Sequence, residues 1–311
     1  MTTIETVTGP IEGEDVGLAL PHEHLYADLL GPDHPDFCKV DWSEVRAACV
    51  DRLTGLRRLG VDLFVDVTAI GIGRNVELIR DVSEATGVRI ACATGIYKGL
   101  VPPEWTGATS EELAEHFVRD LTQGIDDTGV KAGVIKLATR ETQATARETD
   151  VYRAGAMASV AAGAAVVLHS PRSDLARAVL AVLEAEGFDP ARLVWAHAHD
   201  STIEDNLELA ARGVTISFDA IGVSEDTEML DRVERLTAAG HGEQIVVSTD
   251  TTVWINPPEM AYERSIEHLL GTFLPAVEER LGADTRTRLA RENVVRALGL
   301  PADHEGTPKE G

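Results

Sequence analysis

The sequence predicts a (β/α)8 barrel, an α/β fold, on three observations. Short apolar, β-branched runs alternate eight times with longer stretches of helical period. Several of these runs are apolar throughout, Ala165-Val166-Val167-Leu168 among them, as strands covered on both faces should be. No Gly-rich phosphate loop follows the first run, which sets aside an open doubly wound sheet. The 311 residues suffice for a large core, and no linker, low-complexity tract or internal repeat divides them. Residues 1–300 are therefore expected to form a single domain and 301–311 a frayed C-terminal tail.

The strand runs, in order, are Gly17 to Leu20, Leu63 to Thr68, Arg89 to Thr94, Gly133 to Leu137, Ala165 to Leu168, Leu193 to Ala196, Val214 to Phe218 and Gln244 to Val247. Helical periodicity covers Ser43 to Leu59, Asn75 to Thr86, Ser110 to Ile125 and Thr142 to Ala162 in the first half. In the second half it covers Ser173 to Glu186, Ile203 to Ala211, Thr227 to Ala239 and Glu259 to Leu281, with an extra helix from Thr285 to Leu298. Gly60, Gly87, Gly187 and Gly213 each follow a helix and precede a strand, where a left-handed C-terminal cap is needed.

Composition narrows the function classes. A hydrophobic fraction of 44% with 26% charged residues is globular, and no window reaches the apolar length of a membrane span. The start Met1-Thr2-Thr3-Ile4-Glu5 lacks a basic segment followed by an apolar core, so a cytoplasmic protein is expected. The formal charge of −24 repels a polyphosphate backbone and argues against nucleic acid. Cys38, Cys49 and Cys92 follow no paired spacing and read as free thiols.

Chemistry gathers at the predicted strand ends, where barrels of this kind build their sites. In Pro21-His22-Glu23-His24-Leu25 a strand period of two turns both imidazoles to one side, close enough to share an ion; a polar pair bonded to solvent is the plain alternative. Strand four carries Lys136, strand five ends in His169, strand six in His197 and strand eight in Asp250. Four imidazoles and a carboxylate suit zinc or a similar divalent ion. Lys136 lies within the apolar Val134-Ile135-Lys136-Leu137, in a chain of only five lysines, and an ammonium there must be paired or neutralised. A neutral amine can add CO2 to give an anionic carbamate with an oxygen for each of two metals. The alternative is a salt bridge to an acid such as Asp66 or Asp219.

A set of ordered motifs then becomes specific: Thr6-Val7-Thr8-Gly9-Pro10-Ile11, Pro21-His22-Glu23-His24-Leu25, Asp66-Val67-Thr68, Gly73-Arg74-Asn75, Ala93-Thr94-Gly95-Ile96-Tyr97, Gly133-Val134-Ile135-Lys136-Leu137-Ala138-Thr139 and Val247-Ser248-Thr249-Asp250. Together they resemble the phosphotriesterase family of the amidohydrolase superfamily, which includes phosphotriesterase-like lactonases, from near residue 6 to near 298. The resemblance implies a small-molecule hydrolase with a binuclear centre. His22, His24 and Asp250 would hold one metal and His169 and His197 the other, with carboxylated Lys136 and a hydroxide bridging them. Asp250 would also take the proton as attack proceeds. Of His197 and His199 the family pattern favours His197, with Asp200 as the acid orienting it.

The resemblance covers lactones, carboxylic esters, phosphotriesters and some amides. Tyr97 resembles the lactonase-like branch, where such a tyrosine hydrogen-bonds the substrate; packing on Pro102 is its structural alternative. Trp254, with Ile255, Pro257 and Trp105, is a candidate for an apolar leaving-group pocket, and Arg74 for a substrate carboxylate or a loop salt bridge. Ala220 stands where lactonase-like members often present a large polar residue, and the segment Thr251 to Pro258 is short for an acyl-chain lid. A mononuclear deaminase of the same superfamily would use His22, His24, His169 and Asp250 but gives no reason for Lys136. The remaining histidines, His34, His116, His241, His268 and His304, are expected at the solvated surface. A homodimer is suggested by the resemblance alone.

Overall fold

The computed structural model describes residues 2–140, 142–262 and 264–301. Eight parallel strands form a barrel: Leu18–Asp28 (β1), Val61–Asp66 (β2), Arg89–Ile96 (β3), Val134–Ala138 (β4), Ala165–His169 (β5), Leu193–Ala196 (β6), Thr215–Phe218 (β7) and Ile245–Val247 (β8). Each pairs in parallel with the next. Closure comes from the chain just past β8. The Asp250 N–H donates to His22 O at 3.1 Å and the His24 N–H to Thr251 O at 2.8 Å. A further strand, Thr252–Asn256, then runs parallel beside His24 to Asp28.

The strand period of two separates two cores. Ala91, Ala93, Val134, Val167, Val194 and Val246 pack together inside the barrel. Their neighbours in sequence, such as Cys92, Ile135, Val166, Leu168 and Trp195, point outward into the layer under the helices. Small residues inside and bulky ones outside are what a narrow eight-stranded ring requires. The alternation has a functional consequence, because Lys136 is two residues on from Val134 and His169 two on from Val167, so both rise on the inward face. Gly95 pairs with Lys136 at φ 103°, and a Cβ there would fall 2.2 Å from Lys136 O. Only glycine lets β3 pass that close to β4.

The four expected helix-capping glycines all have positive φ, Gly60 at 94°, Gly87 at 70°, Gly187 at 84° and Gly213 at 103°. Helix starts follow side-chain caps. Helix Ala146–Ala162 begins four residues later than its periodicity suggests because Thr145 and Glu148 close a reciprocal capping box. Likewise Thr202 and Asp205 cap Ile203–Ala211.

Two expectations need correction. The eighth helix does not begin at Glu259: Pro258–Met260 is one 3-10 turn, and helix starts at Ile266, after Ser265 caps it. The tail does not begin at Pro301, since Leu300–Pro301 pairs antiparallel with Thr2 and Thr3, and the same strand, through Thr3 and Ile4, pairs with Ile11–Glu12. Residues 302–311 lie outside the described ones. Ile4 from this small sheet joins Val294, Ala297 and Leu298 against the barrel interior, which closes the amino-terminal mouth. The other mouth is left for the polar strand ends. Among the described residues no helix is long and apolar enough to cross a membrane.

Candidate metal centre

At the carboxyl-terminal mouth the predicted residues converge. His22 Nε2 and His24 Nε2 lie 3.4 and 3.3 Å from Asp250 Oδ1, and one ligand-type atom from each of the three falls within 4.8 Å of the others. The rings of His24, His22, His197 and His169 form an arc, with successive centroids 5.7, 5.4 and 4.3 Å apart. The Lys136 amine sits 3.0 Å from His22 Nε2. A cavity of about 200 Å³ opens above, lined by His22, His24, Tyr97, Lys136, His169 and Asp250.

Hydrogen bonds behind the imidazoles settle which nitrogen faces inward. His22 Nδ1 is 2.8 Å from Asp219 Oδ2, so it carries the proton and Nε2 presents its lone pair inward, toward the Lys136 amine. The Thr68 hydroxyl donates to Tyr26 O, so toward His24 Nδ1, 2.9 Å away, it accepts, and His24 Nε2 is likewise free. Asp219 also takes His197 Nδ1 at 3.0 Å and the His197 N–H at 3.0 Å. His197 Nε2 is buried without a hydrogen-bond partner among the described residues, an orphaned lone pair of the kind a cation satisfies. The donor set of imidazoles and a carboxylate, oriented by second carboxylates and hydroxyls, fits a zinc-type ion.

Electrostatics agree. Burial first, and Lys136 second, push His22 down to about 4, and burial holds His169 well below the ordinary histidine range, so both rings are neutral at pH 7. Burial alone would raise Asp250, but His22, His24 and His197 hold it far below the ordinary carboxylate range. His197 is the exception: burial would lower it, but Asp219 and Asp250 together raise it. Burial brings the Lys136 amine down to about 8. Its alternative salt bridges do not form among the described residues: Asp66 accepts from the Leu25 and Thr68 N–H groups, and Asp219 is held by His22 and His197.

His197 at φ 64° and Asp250 at φ 52° both occupy the left-handed region, strain that clusters at functional sites. Glu23, fully buried between the two histidines, points away from the cavity. It accepts from Ser248 Oγ and Thr249 N, and from Thr251 N at 2.5 Å, and so clamps the chain on both sides of Asp250.

Other expected site residues sit elsewhere. The carboxylate on His197 is Asp219, not Asp200, whose side chain stands 3.6 Å from His199 and half in solvent. His199 lies behind the arc, with Nδ1 3.3 Å from Asp219. Arg74 donates to Asp120 at 2.8 Å and Ala93 O at 3.1 Å, the loop salt bridge rather than a substrate contact. Trp254 does not line the cavity, though Ile255 does, and Trp105 packs on His116 at 4.5 Å. His116 is thereby mostly covered rather than solvated. Tyr97 does line the cavity, its hydroxyl 3.4 Å from His169 Nε2. Tyr262 and Arg264 complete the wall, unannounced by any periodic pattern.

The sequence pattern of the phosphotriesterase family matches residues 2–295. The chain belongs to the phosphotriesterase family. A phosphotriesterase homology protein of Mycobacterium tuberculosis is 34% identical over 82% of this chain and 83% of its own. An aryldialkylphosphatase of Saccharolobus solfataricus is 30% identical over 77% and 78%. Among solved structures, an organophosphorus hydrolase from Deinococcus radiodurans superposes with a TM-score of 0.82 at 27% identity, covering 96% of this chain and 97% of that one. The protein is thus a hydrolase of a metal-dependent family, and its His and Asp clusters can bind a metal.

Proposed function

We propose that the protein is a binuclear metal hydrolase that cleaves a lactone or carboxylic ester of a small molecule. The observation that carries this is the Lys136 amine, buried on the inward face 3.0 Å from His22 Nε2, beside the His22, His24 and Asp250 group. His22, His24 and Asp250 would hold one ion, His169 and His197 the other, with zinc best suited to the set. With burial holding its amine at about 8, Lys136 has an appreciable neutral fraction at physiological pH. That fraction could add CO2 with loss of a proton, and the resulting carbamate would give the ions an anionic ligand at Lys136. When bound, the ions supply Lewis acidity, which acidifies water and polarises the scissile carbonyl.

The chain's own groups do the rest. Asp250, held ionised at the cavity floor, accepts the proton of the attacking water at its carboxylate. Burial raises the Tyr97 phenol, so it stays protonated and donates a hydrogen bond to the substrate oxygen. Asp219 and Thr68 keep His22 and His24 in the tautomer that points Nε2 inward.

Phosphotriester cleavage is the second reading, supported by the names of the Saccharolobus and Deinococcus relatives. Lactones and esters are preferred because Tyr97, on the cavity wall beside His169, is placed to donate to an acyl oxygen. The test is a kcat/KM comparison of lactones, aryl esters, dialkyl aryl phosphates and N-acyl amides on zinc-loaded protein. Lactones or esters should lead; a lead of tenfold or more for the phosphates or amides overturns the choice of substrate.

A further inference from the structure

Arg264 stands on the cavity wall with its guanidinium fixed and partly unused. Nη1 donates to Asp219 O and Thr249 O, both at 3.0 Å, at the outgoing ends of β7 and β8. The guanidinium carbon lies 5.1 Å over the Tyr262 ring, and the Tyr262 hydroxyl is itself tied to Thr252 Oγ1 and Asp250 O. Nη2 and Nε have no hydrogen-bond partner among the described residues. Among the described residues the one ion pair of Arg264 is a long one, Nη2 to Asp250 Oδ2 at 3.7 Å, beyond hydrogen-bond reach and with an acid that also faces His22 and His24. Among the described residues lining the cavity, Asp250 is the one acid.

The position matters as much as the charge. Arg264, Tyr262 and Thr252 also line a second cavity of about 540 Å³, next to the one over Lys136. The other arginine there, Arg52, is paired with Glu267. A side chain that is 18% exposed, with two nitrogens to spare at the junction of two cavities, is placed to meet a ligand. We propose that Arg264 reads a carboxylate carried by the substrate, holding it at this junction while the scissile acyl group lies over Lys136. The inference deepens the hydrolase reading and rests on it for the position of the scissile bond. The carboxylate accepts from Nη2 and Nε, the fork geometry that a guanidinium offers and an ammonium does not.

The plain alternative is that Arg264 only ties off the ends of β7 and β8, and the experiment separates the two. Zinc-loaded protein is assayed with 3-acetoxybenzoate and with 3-acetoxybenzamide, which share the acetyl ester and differ in the charge of the leaving group. The native enzyme should show a KM about tenfold or more lower for the carboxylate, the worth of one charge-assisted pair. Arg264→Gln should raise that KM about tenfold more than the KM of the amide, and Arg264→Lys should recover part of the difference. Equal KM values in the native enzyme, or equal losses for both esters in Arg264→Gln, overturn the subsite.

A binding arm keeps the subsite testable apart from turnover. 3-Hydroxybenzoate should raise the thermal midpoint of zinc-loaded native protein more than 3-hydroxybenzamide does, and Arg264→Gln should erase the difference. If neither ester is cleaved but this difference stands, the hydrolase reading fails and the subsite survives. If both ligands shift the midpoint alike, the subsite fails whatever the turnover.

Discussion

The Lys136 amine lies 3.0 Å from Nε2 of His22, two residues that 114 positions of chain separate. The two share a hydrogen bond, but no carboxylate pairs with the buried amine among the described residues, so its charge is costly there. Conversion to a carbamate would remove that charge and would supply an anion beside the imidazoles. Protein loaded with metal under carbon-13-labelled bicarbonate should show a carbamate carbon resonance that is lost in Lys136→Ala. A native protein without that resonance, at full metal loading, contradicts the modification.

Asp219 orients two imidazoles at once, and its removal should loosen the metal rather than the fold. Asp219→Asn is expected to weaken zinc affinity about 10–100-fold, read by competition with a chromophoric chelator. Far-ultraviolet circular dichroism should be unchanged. Asp200→Asn, whose side chain faces His199, should leave affinity within about twofold of native.

Tyr97 is placed to donate to the substrate oxygen from beside His169. Tyr97→Phe should lower kcat on the preferred ester about 100-fold while metal content stays at the native level. A variant with native kcat would return Tyr97 to a packing role.

Stability in acid should report the capping box of helix Ile203–Ala211. Burial would raise the Asp205 carboxyl, but hydrogen bonds from Arg177 and Thr202 overcome it and hold the group down at about 2 against an ordinary 3.8. A depressed carboxylate contributes stability above its unfolded pKa and loses it as pH falls toward the folded one. Asp205→Ala should therefore cost about 1 kcal/mol in urea unfolding at pH 7, with the gap to native narrowing between pH 4 and 2.

Much of the barrel was legible because its signals are local. Apolar runs such as Ala165 to Leu168 cannot serve as exposed strands, whereas the capping box in Thr145-Ala146-Arg147-Glu148 marks a helix start that periodicity alone put at Thr142. Strand Thr252–Asn256 was obscured by Pro257 and Pro258 beside it, although its β-branched and aromatic residues are a strand signal. The convergence of His22, His24, Lys136, His169 and Asp250 on one cavity was legible because strand ends meet at one mouth in this fold, whatever their distance in sequence. What orients them was not. Asp200 is the acid nearest His197 in sequence, but Asp219, on the neighbouring strand's exit, is nearest in space. Nor does any pattern mark Arg264, which reaches the cavity by the path of a loop rather than by a period.

The most direct measurement of the binuclear account is metal stoichiometry. Protein stripped of metal and CO2, then given excess zinc, should take up two ions per chain, with uptake faster when bicarbonate is present, and Lys136→Ala should retain fewer than two with hydrolysis abolished. A native chain that binds one ion at most, or a Lys136→Ala variant that binds two and turns over normally, would contradict it.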